Sequence, residues 1–574
     1  MISVGMSKTD KCCLLPAIFL PIAVVLGGLR AWGAFAAFSA IFFLYLAFFD
    51  DDFSFSGLGV WGLLAAWLGI SVAFSPEIRN SFWQFYRYAV LFSFYIFSSR
   101  RQPDARRTWA WSVFLLGGLA ACLSVYEGVL NLTRGSVLGL NPNYSAAFMA
   151  AALAGAAALF MAAGSKKSRL GAAAGLAFFS AGLLASNSRG GLLAALAALL
   201  YLLFLKKAWR SLLYLSAGLL LVTVLIPMEQ FRWLLKLDDP VSLERVKIWR
   251  VALGAIGGSP LFGYGPGLFE RVFEAFKFPF YNGISYYGHS TLHAHSELLN
   301  LAAEAGIPAA GLFAWGWGRA VFVSDDGDHW GAVLKVFAVS LFAQSAVDII
   351  FYSGALQVLF FGTLGLLAAG KVRPADGPGF RVRALSLLLA CWCAAFILRF
   401  SFERDKACAL DGGTSPRARE TCLKKAAIFA PGDADLSEVS IPLSFDIYGD
   451  LAYTAAVAGD VSVKRPRDPF PLFARAQAFY MAGALNSAKD ELYNVLAVEP
   501  AFLRARLRLA EILAAEKNYP AGAVELRKIE VRLVGKHAEP RTVYDRNLLS
   551  LPAAPYAKIA QEMQRHKRSN ADRP

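Results

Sequence analysis

Long apolar runs, broken by short polar stretches, fill the first 400 residues of the chain. They fall at 12–29, 31–49, 57–74, 82–98, 109–130, 144–163, 169–186, 190–205, 210–227, 297–323, 330–348, 351–370 and 382–400. Most approach the roughly 20 residues that a helix needs to cross the hydrocarbon core of a bilayer. A helix also satisfies its own backbone hydrogen bonds, so it is the natural solution for such runs in lipid. The pattern therefore predicts an all-α chain, a polytopic transmembrane bundle of about 12–13 spans over residues 1–400. One long polar interruption, about 228–296, separates the ninth run from the tenth.

After residue 400 the pattern changes to amphipathic periodicity. Residues 401–465 read as a helical linker region. From 466 to 535, small and large apolar residues recur at a spacing of 34: Ala476, Phe479, Ala488 and Leu492 correspond to Ala510, Leu513, Gly522 and Leu526, and Pro500 closes the first unit. This period and pattern resemble the tetratricopeptide repeat, in which small residues let paired helices pack closely. A weaker fragment precedes it, around Cys422 to Pro431. The expectation is a soluble TPR-like tail that binds a protein partner or organises an assembly. Residues 536–574 form a basic, polar end, partly disordered by composition.

Composition agrees with a membrane protein. Hydrophobic residues make up 56% of the 574 positions and charged residues 17%, with mean hydropathy +0.46. The net charge of +15 does not call for nucleic acid, because no basic motif interleaved with aromatics appears. Lys and Arg instead gather in alternate loops. With the N-terminus in the cytoplasm, four basic clusters fall inside: Arg100, Arg101, Arg106 and Arg107; Lys166, Lys167 and Arg169; Lys206, Lys207 and Arg210; and Lys371, Arg373, Arg381 and Arg383. That agreement sets the orientation. The 228–296 loop and the tail then lie outside. No cleavable signal peptide is evident, since no small-residue cleavage site follows the first apolar run. Cys408 and Cys422 both follow the last span, where a disulfide can form if the segment is periplasmic.

Candidate chemistry concentrates in and around the long loop. Of six histidines, His289, His293 and His295 lie close together just before the tenth apolar run. An imidazole there can act as a general base near neutral pH. A His-x-His pair is also compatible with zinc, although no Cys accompanies it and Glu270, Glu274 and Glu297 are loosely placed. The third reading is polar loop histidines bonded to neighbours. Arg189, in Ser188-Arg189-Gly190, and Arg245 stand at membrane borders, where a guanidinium needs a partner or a task. The Arg fork matches phosphate oxygens, so the two suit a pyrophosphate. A snorkelling anchor at the membrane border is the other reading of Arg189, and it is the preferred one for Arg250. The turn Pro260-Leu261-Phe262-Gly263-Tyr264-Gly265-Pro266-Gly267 permits close approach of backbone N–H groups to a ligand, and Asn141-Pro142-Asn143 reads as a turn whose amides could hold a sugar or phosphate.

Taken in order, these pieces resemble the O-antigen ligase and polymerase superfamily of bacterial membrane glycosyltransferases. The family pattern runs Asn-Pro-Asn, Ser-Arg-Gly, Arg-x-x-x-Trp, the glycine-rich turn, then His-x-His-Asn and Glu-x-Gly. Here it reads Asn141-Pro142-Asn143, Ser188-Arg189-Gly190, Arg245 to Trp249, Pro260 to Gly267, His293-Ala294-His295-Ser296 and Glu304-Ala305-Gly306. Ser296 stands where the pattern has Asn.

The resemblance implies transfer of a glycan from undecaprenyl pyrophosphate to an acceptor hydroxyl, with inversion and with no metal or other cofactor. His295 is the preferred base and His293 the second. Arg189 and Arg245 would bind the pyrophosphate, while Asn143, Glu304, Gly265 and Gly267 support the site. The acceptor is lipid A–core for a ligase, a second glycan for a polymerase, or a Ser or Thr of a protein for a protein glycosyltransferase. A polysaccharide transporter or flippase is the alternative of another class, but it would call for inverted repeats and mid-span charges.

Overall fold

The apolar runs fold as helices in a computed structural model. It describes residues 8–50, 53, 57–130, 141–214, 217, 240–323, 328–369, 378–534, 539–540 and 542–571. Every regular element among them is helical. The chain divides into two compact units. The first is Met1–Phe269 with His293–Ile397, and the second is Glu270–Leu292 with Leu398–Pro574.

The first unit contains α1 (Lys8–Val25), α2 (Trp32–Phe49), α3 (Val60–Ala73), α4 (Ile78–Ser99), α5 (Ala105–Leu130), α6 (Pro142–Ala162), α7 (Lys166–Ala185), α8 (Arg189–Leu205) and α9 (Pro240–Gly258). The short α10 (Phe269–Phe276) leads out of it. α11 (Glu297–Val323), α12 (His329–Ser345), α13 (Gly354–Leu367) and α14 (Pro378–Leu410) follow, the last running across the boundary between the units. Twelve of the thirteen apolar runs thus coincide with described helices. The other, 210–227, lies mostly outside the described residues. Six of the helices are long and apolar enough to cross a membrane, and several shorter apolar helices accompany them.

Small residues decide which helices reach the centre. α6 is Ala-rich and buried along most of its length. A Cβ on Gly117 of α5 would stand 2.8 Å from that of Ala152, and one on Gly191 of α8 would stand 2.7 Å from that of Ala146. Such close approach of backbones is the main attractive device available to helices in lipid, where apolar burial gives no net drive. α12 and α13 are also central, whereas α7 and α14 keep most of their surface uncovered. Two buried arginines of this unit are paired: Arg101 with Asp50, and Arg106 with Asp328 and the Leu366 carbonyl.

The second unit is a stack of helix pairs: α15 (Pro416–Phe429), α16 (Ala434–Tyr448), α17 (Leu451–Lys464), α18 (Pro469–Met481), α19 (Leu485–Val498), α20 (Leu503–Ala515) and α21 (Tyr519–Val534). A short helix, α22 (Val543–Leu549), and a longer one, α23 (Ala553–Ala571), close it. From Pro469 to Leu503, and from Leu485 to Tyr519, is 34 positions, the period seen in the sequence. Leu451 to Leu485 is also 34, so α16 and α17 form a further pair that the sequence pattern left as linker. Ala476, Ala488, Leu492 and Ala510 are buried between the helices as the repeat pattern requires. Gly522 lies so close to α23 that a Cβ there would meet the Met563 methyl at 2.4 Å. Cys408 and Cys422 form a disulfide, with Cα atoms 5.9 Å apart.

Candidate active site

The site is built where helix ends of the first unit converge. Asn141 caps α6 by accepting from the Asn143 N–H at 2.9 Å. The Asn143 side chain in turn accepts from Ser188 Oγ at 2.9 Å, and its carbonyl accepts from Gln344 Nε2 at 2.9 Å. Ser188 caps α8. The Asn-Pro-Asn and Ser-Arg-Gly motifs are therefore two helix N-termini tied to each other and to the end of α12. Arg189 is the first residue of α8 and is half-buried there. Gly190 packs closely on the same place, since a Cβ there would lie 3.2 Å from Asp348 Oδ2.

Asp348 is the residue that sequence reasoning missed. It is buried in the segment after α12 and faces two of the expected site residues. Arg245 Nη2 lies 3.4 Å from its Oδ1, and Arg245 Nη1 donates to the Val347 carbonyl at 2.9 Å. His295 Nδ1 is 4.0 Å from the same Oδ1. Arg245 and His295 keep 29% and 28% of their side chains exposed, so both are pinned yet reachable. His295 Nδ1 and Asp348 Oδ2 have no hydrogen-bond partner among the described residues. Buried polar atoms left open in this way point to a functional role. The signal for Asp348 was present in the sequence, as a carboxylate at the end of an apolar run, where ionisable residues are costly and functional by default.

His295 adopts a left-handed backbone conformation, φ 52°. That turn brings the chain into α11, which Ser296 starts by accepting from the Leu299 N–H at 3.4 Å. Ser and Asn are both strong N-cap residues. Ser296 therefore performs a task that Asn performs equally well, and its presence in place of Asn leaves the cap intact.

His293 points elsewhere. Its ring packs on Tyr352 at 4.5 Å between centroids. Burial, then the neighbouring His295 and Arg87, push its pKa down to about 4. His293 is thus neutral at ordinary pH and a weak base. Two arginines absent from the sequence-based set border the same place. Arg30 lies over the Tyr352 ring at 5.4 Å and the Tyr144 ring at 6.0 Å, and Arg87 donates to Gln357 at 3.3 Å.

The third histidine of the cluster does not join the other two. His289 belongs to the second unit, tilted against Phe280 at 3.7 Å between centroids and edge-on to Phe273 at 5.6 Å. Among the described residues, no three His, Cys, Asp or Glu side chains come together as a metal site would need. Zinc binding by the histidine cluster thus has no geometric support there.

The glycine-rich turn and Glu304 form a structural lock. α11 is broken at Gly306, φ 85° and ψ 164°, just before Pro308. The turn fits into this break: the Tyr264 and Gly265 N–H groups donate to the Ala303 and Glu304 carbonyls at 3.1 and 2.8 Å, and the Ile307 N–H donates to the Pro260 carbonyl at 2.8 Å. The Glu304 carboxylate accepts from the Gly267 and Phe269 N–H groups at 2.9 and 3.1 Å. A Cβ at Gly265 would come within 2.3 Å of Ser75 Oγ, and one at Gly306 within 1.8 Å of the Leu261 carbonyl. The sequence suggested that these N–H groups approach a ligand; the Gly265 and Gly267 donors are instead spent on α11.

These observations describe a helical membrane protein whose polar site combines an imidazole, a carboxylate and arginines at converging helix ends. Residues 173–314 match the family described as O-antigen ligase, which supports, in general terms, a glycan transferase of the ligase or polymerase type. The matched segment includes Arg189, Arg245, His293, His295 and Glu304; Asn143 and Asp348 lie outside it. No curated protein matches the sequence. Among solved structures, the chain is similar to the crystal structure of yeast Tom70, at 11% identity over 82% of this chain and 93% of that one. The TM-score of 0.24 gives that likeness no weight.

Proposed function

We propose that this protein transfers a glycan from undecaprenyl pyrophosphate to an acceptor hydroxyl on the outer face of a bacterial inner membrane. The observation that carries the reading is the convergence of Arg245 and His295 on the buried Asp348, against the Ser188-Arg189-Gly190 turn. His295 takes the acceptor proton as the acceptor oxygen bonds to the anomeric carbon. The bond from that carbon to the pyrophosphate oxygen breaks, and the lipid pyrophosphate leaves with the electron pair. Attack opposite the leaving group inverts the centre. Asp348 orients His295 and offsets the positive charge it acquires, as a carboxylate does for the histidine of a hydrolase triad. Arg189 and Arg245, with Arg30 and Arg87 nearby, stabilise the charge that gathers on the pyrophosphate. The chemistry needs no metal. Asn143 and Glu304 act through the backbone they hold. The Cys408–Cys422 disulfide is in keeping with an oxidising compartment for the tail.

The test is direct. Purified protein in lipid is incubated with a lipid-linked glycan and, separately, with lipid A–core, a second lipid-linked glycan and a Ser/Thr peptide. One acceptor is expected to gain the glycan, which also names the enzyme as ligase, polymerase or protein glycosyltransferase. Chelators are expected to leave the rate unchanged. Movement of the lipid-linked glycan across the bilayer with no product from any acceptor would replace this reading with the transporter one.

A further inference from the structure

The second unit carries a charged trough between α18 and α20 that glycan transfer does not use. On α20, Arg504, Arg508 and Glu511 recur at spacings of four and three, so they share one helix face. The residues beside them, Leu503, Ala505, Leu507, Leu509 and Ala510, are buried. On α18, Phe473, Gln477 and Tyr480 form the matching line. The two lines meet: the Arg504 guanidinium lies 5.5 Å from the Phe473 ring and 5.6 Å from that of Phe502, and the Arg508 guanidinium lies 4.1 Å from the Tyr480 ring. One end of the trough is already filled. Phe470 packs there on Phe502 and Tyr544. Beside it, Glu499 accepts from the Tyr286 and Tyr287 N–H groups at 3.0 and 2.7 Å, and Asp545 accepts from Ser285 Oγ at 2.7 Å and Asn282 Nδ2 at 3.4 Å. The stretch from Arg504 to Glu511 remains half-exposed.

The two arginines are engaged unequally. Arg508 Nη1 donates to Glu511 Oε2 at 2.5 Å. Arg504 has no acidic partner among the described residues, and its buried Nε has no acceptor there. Burial pushes its pKa below the usual guanidinium range. A cation that has already lost part of its hydration attracts an arriving anion more strongly than a solvated surface charge does. A guanidinium laid on a ring face also keeps its in-plane N–H fork free, and that fork matches a carboxylate.

Spacing narrows the ligand. Arg504 and Arg508 are one helical turn apart, about 6 Å along the axis. Alternate side chains on one edge of an extended strand are about 6.6 Å apart. An extended peptide with carboxylates at i and i+2 therefore reaches both forks. An acidic glycan fits less well, because the rings it would stack on lie under the guanidinium groups, and Phe473 and Phe502 are buried besides.

We propose that this trough binds an extended acidic segment of a partner protein, with Arg504 and Arg508 each taking one carboxylate and Glu511 limiting affinity by competing for Arg508. Binding there needs no turnover, so its outcome is separate from that of the transfer reading.

The test uses purified full-length protein in lipid nanodiscs and a fluorescent, end-blocked peptide of alternating Glu and Ser. Blocked ends leave only side-chain carboxylates to be recognised. Anisotropy is expected to show saturable binding that weakens with salt, and a peptide with Gln for Glu is expected to bind about tenfold more weakly or worse. Arg504→Gln and Arg508→Gln are each expected to lose about tenfold or more, the usual effect of removing one partner of a charge-assisted pair. Arg504→Lys, which keeps the charge without the fork, falls between the parent and Arg504→Gln. Glu511→Gln frees Arg508 and is expected to bind about threefold tighter or more, a gain that misfolding cannot produce. Lys528→Gln removes the same charge from α21, where Lys528 pairs with the Glu525 that holds Arg506, and it is expected to bind as the parent does. No binding by the parent, equal binding of the Gln peptide, equal losses in Lys528→Gln and Arg504→Gln, or Glu511→Gln no tighter than the parent would each overturn the proposal. An acidic polysaccharide that displaces the peptide at a lower concentration of carboxylate would overturn the choice of a protein partner.

Discussion

At the scale of single residues, the proposed reaction assigns the chemistry to His295 and Asp348, and the two roles separate under substitution. His295→Ala is expected to reduce kcat by about 10²–10⁴-fold, the usual contribution of a positioned base. Asp348→Asn keeps the volume beside Gly190 but removes the charge that faces His295 and Arg245. It is expected to lower kcat by about tenfold or more, while the protein stays folded in the membrane. Single-turnover rates beside a thermal melt check both.

His293 makes a different prediction. Its pKa falls from 6.5 to about 4 on folding. Between those values the unfolded chain holds a proton that the folded protein lacks, so stability rises with pH across that window. It is lost as pH falls from 6.5 towards about 4, and this group adds no further loss below that. Melting curves at several pH values should show the acid-side loss reduced in His293→Gln. Ser296→Asn is expected to leave activity unchanged, whereas Ser296→Ala loses the α11 cap and about 1 kcal/mol of stability.

The decisive element is the broken helix α11 with the turn that fills the break. Glu304 was a supporting site residue in the sequence reading, and its carboxylate is occupied by the Gly267 and Phe269 N–H groups. Glu304→Ala would strand both donors, at about 1–3 kcal/mol each. The expected outcome is less folded protein in the membrane, with the surviving fraction still turning over. A folded, abundant and inactive Glu304→Ala would show that the carboxylate acts on substrate instead. The positive φ at Gly306 and the contact with Leu261 make the Glu-x-Gly motif a matter of backbone fit. Motif order alone could not show this, because the partners, Pro260–Phe269 and Ala303–Ile307, are brought together only by the fold.

At the scale of the whole molecule, the two units carry different devices: close helix packing in the first, and helix pairs with a disulfide in the second. The Cys408–Cys422 bridge closes a short loop at the entry to the repeats. Its reduction is expected to lower the stability of the second unit by about 3 kcal/mol, from the chain entropy returned to the unfolded state. A melt of the full-length protein with and without reductant, followed by a probe in each unit, checks this. The repeat unit around α16 and α17 was hidden in the sequence. The start of its second helix keeps the 34-residue spacing and that of its first is one residue off, while its small-residue pattern is weaker than in the two units that follow.

Local pattern was enough for the helices, because lipid forces every long apolar run to satisfy its own backbone, and for the repeat period, because paired helices need small residues at fixed offsets. It also marked His295, Arg189 and Arg245, since such groups are expensive beside apolar spans. Tertiary structure decided the rest. Asp348 gains its meaning from Arg245 and His295, which stand far from it along the chain. His289 leaves the histidine cluster because aromatic rings of its own loop enclose it. The loop from Asn282 to Gly288 belongs to the tail because Glu499 and Asp545 accept its donors. Each of these rests on groups distant in sequence meeting within hydrogen-bond or Coulomb range, and the spacing of residues along a chain does not encode such distances.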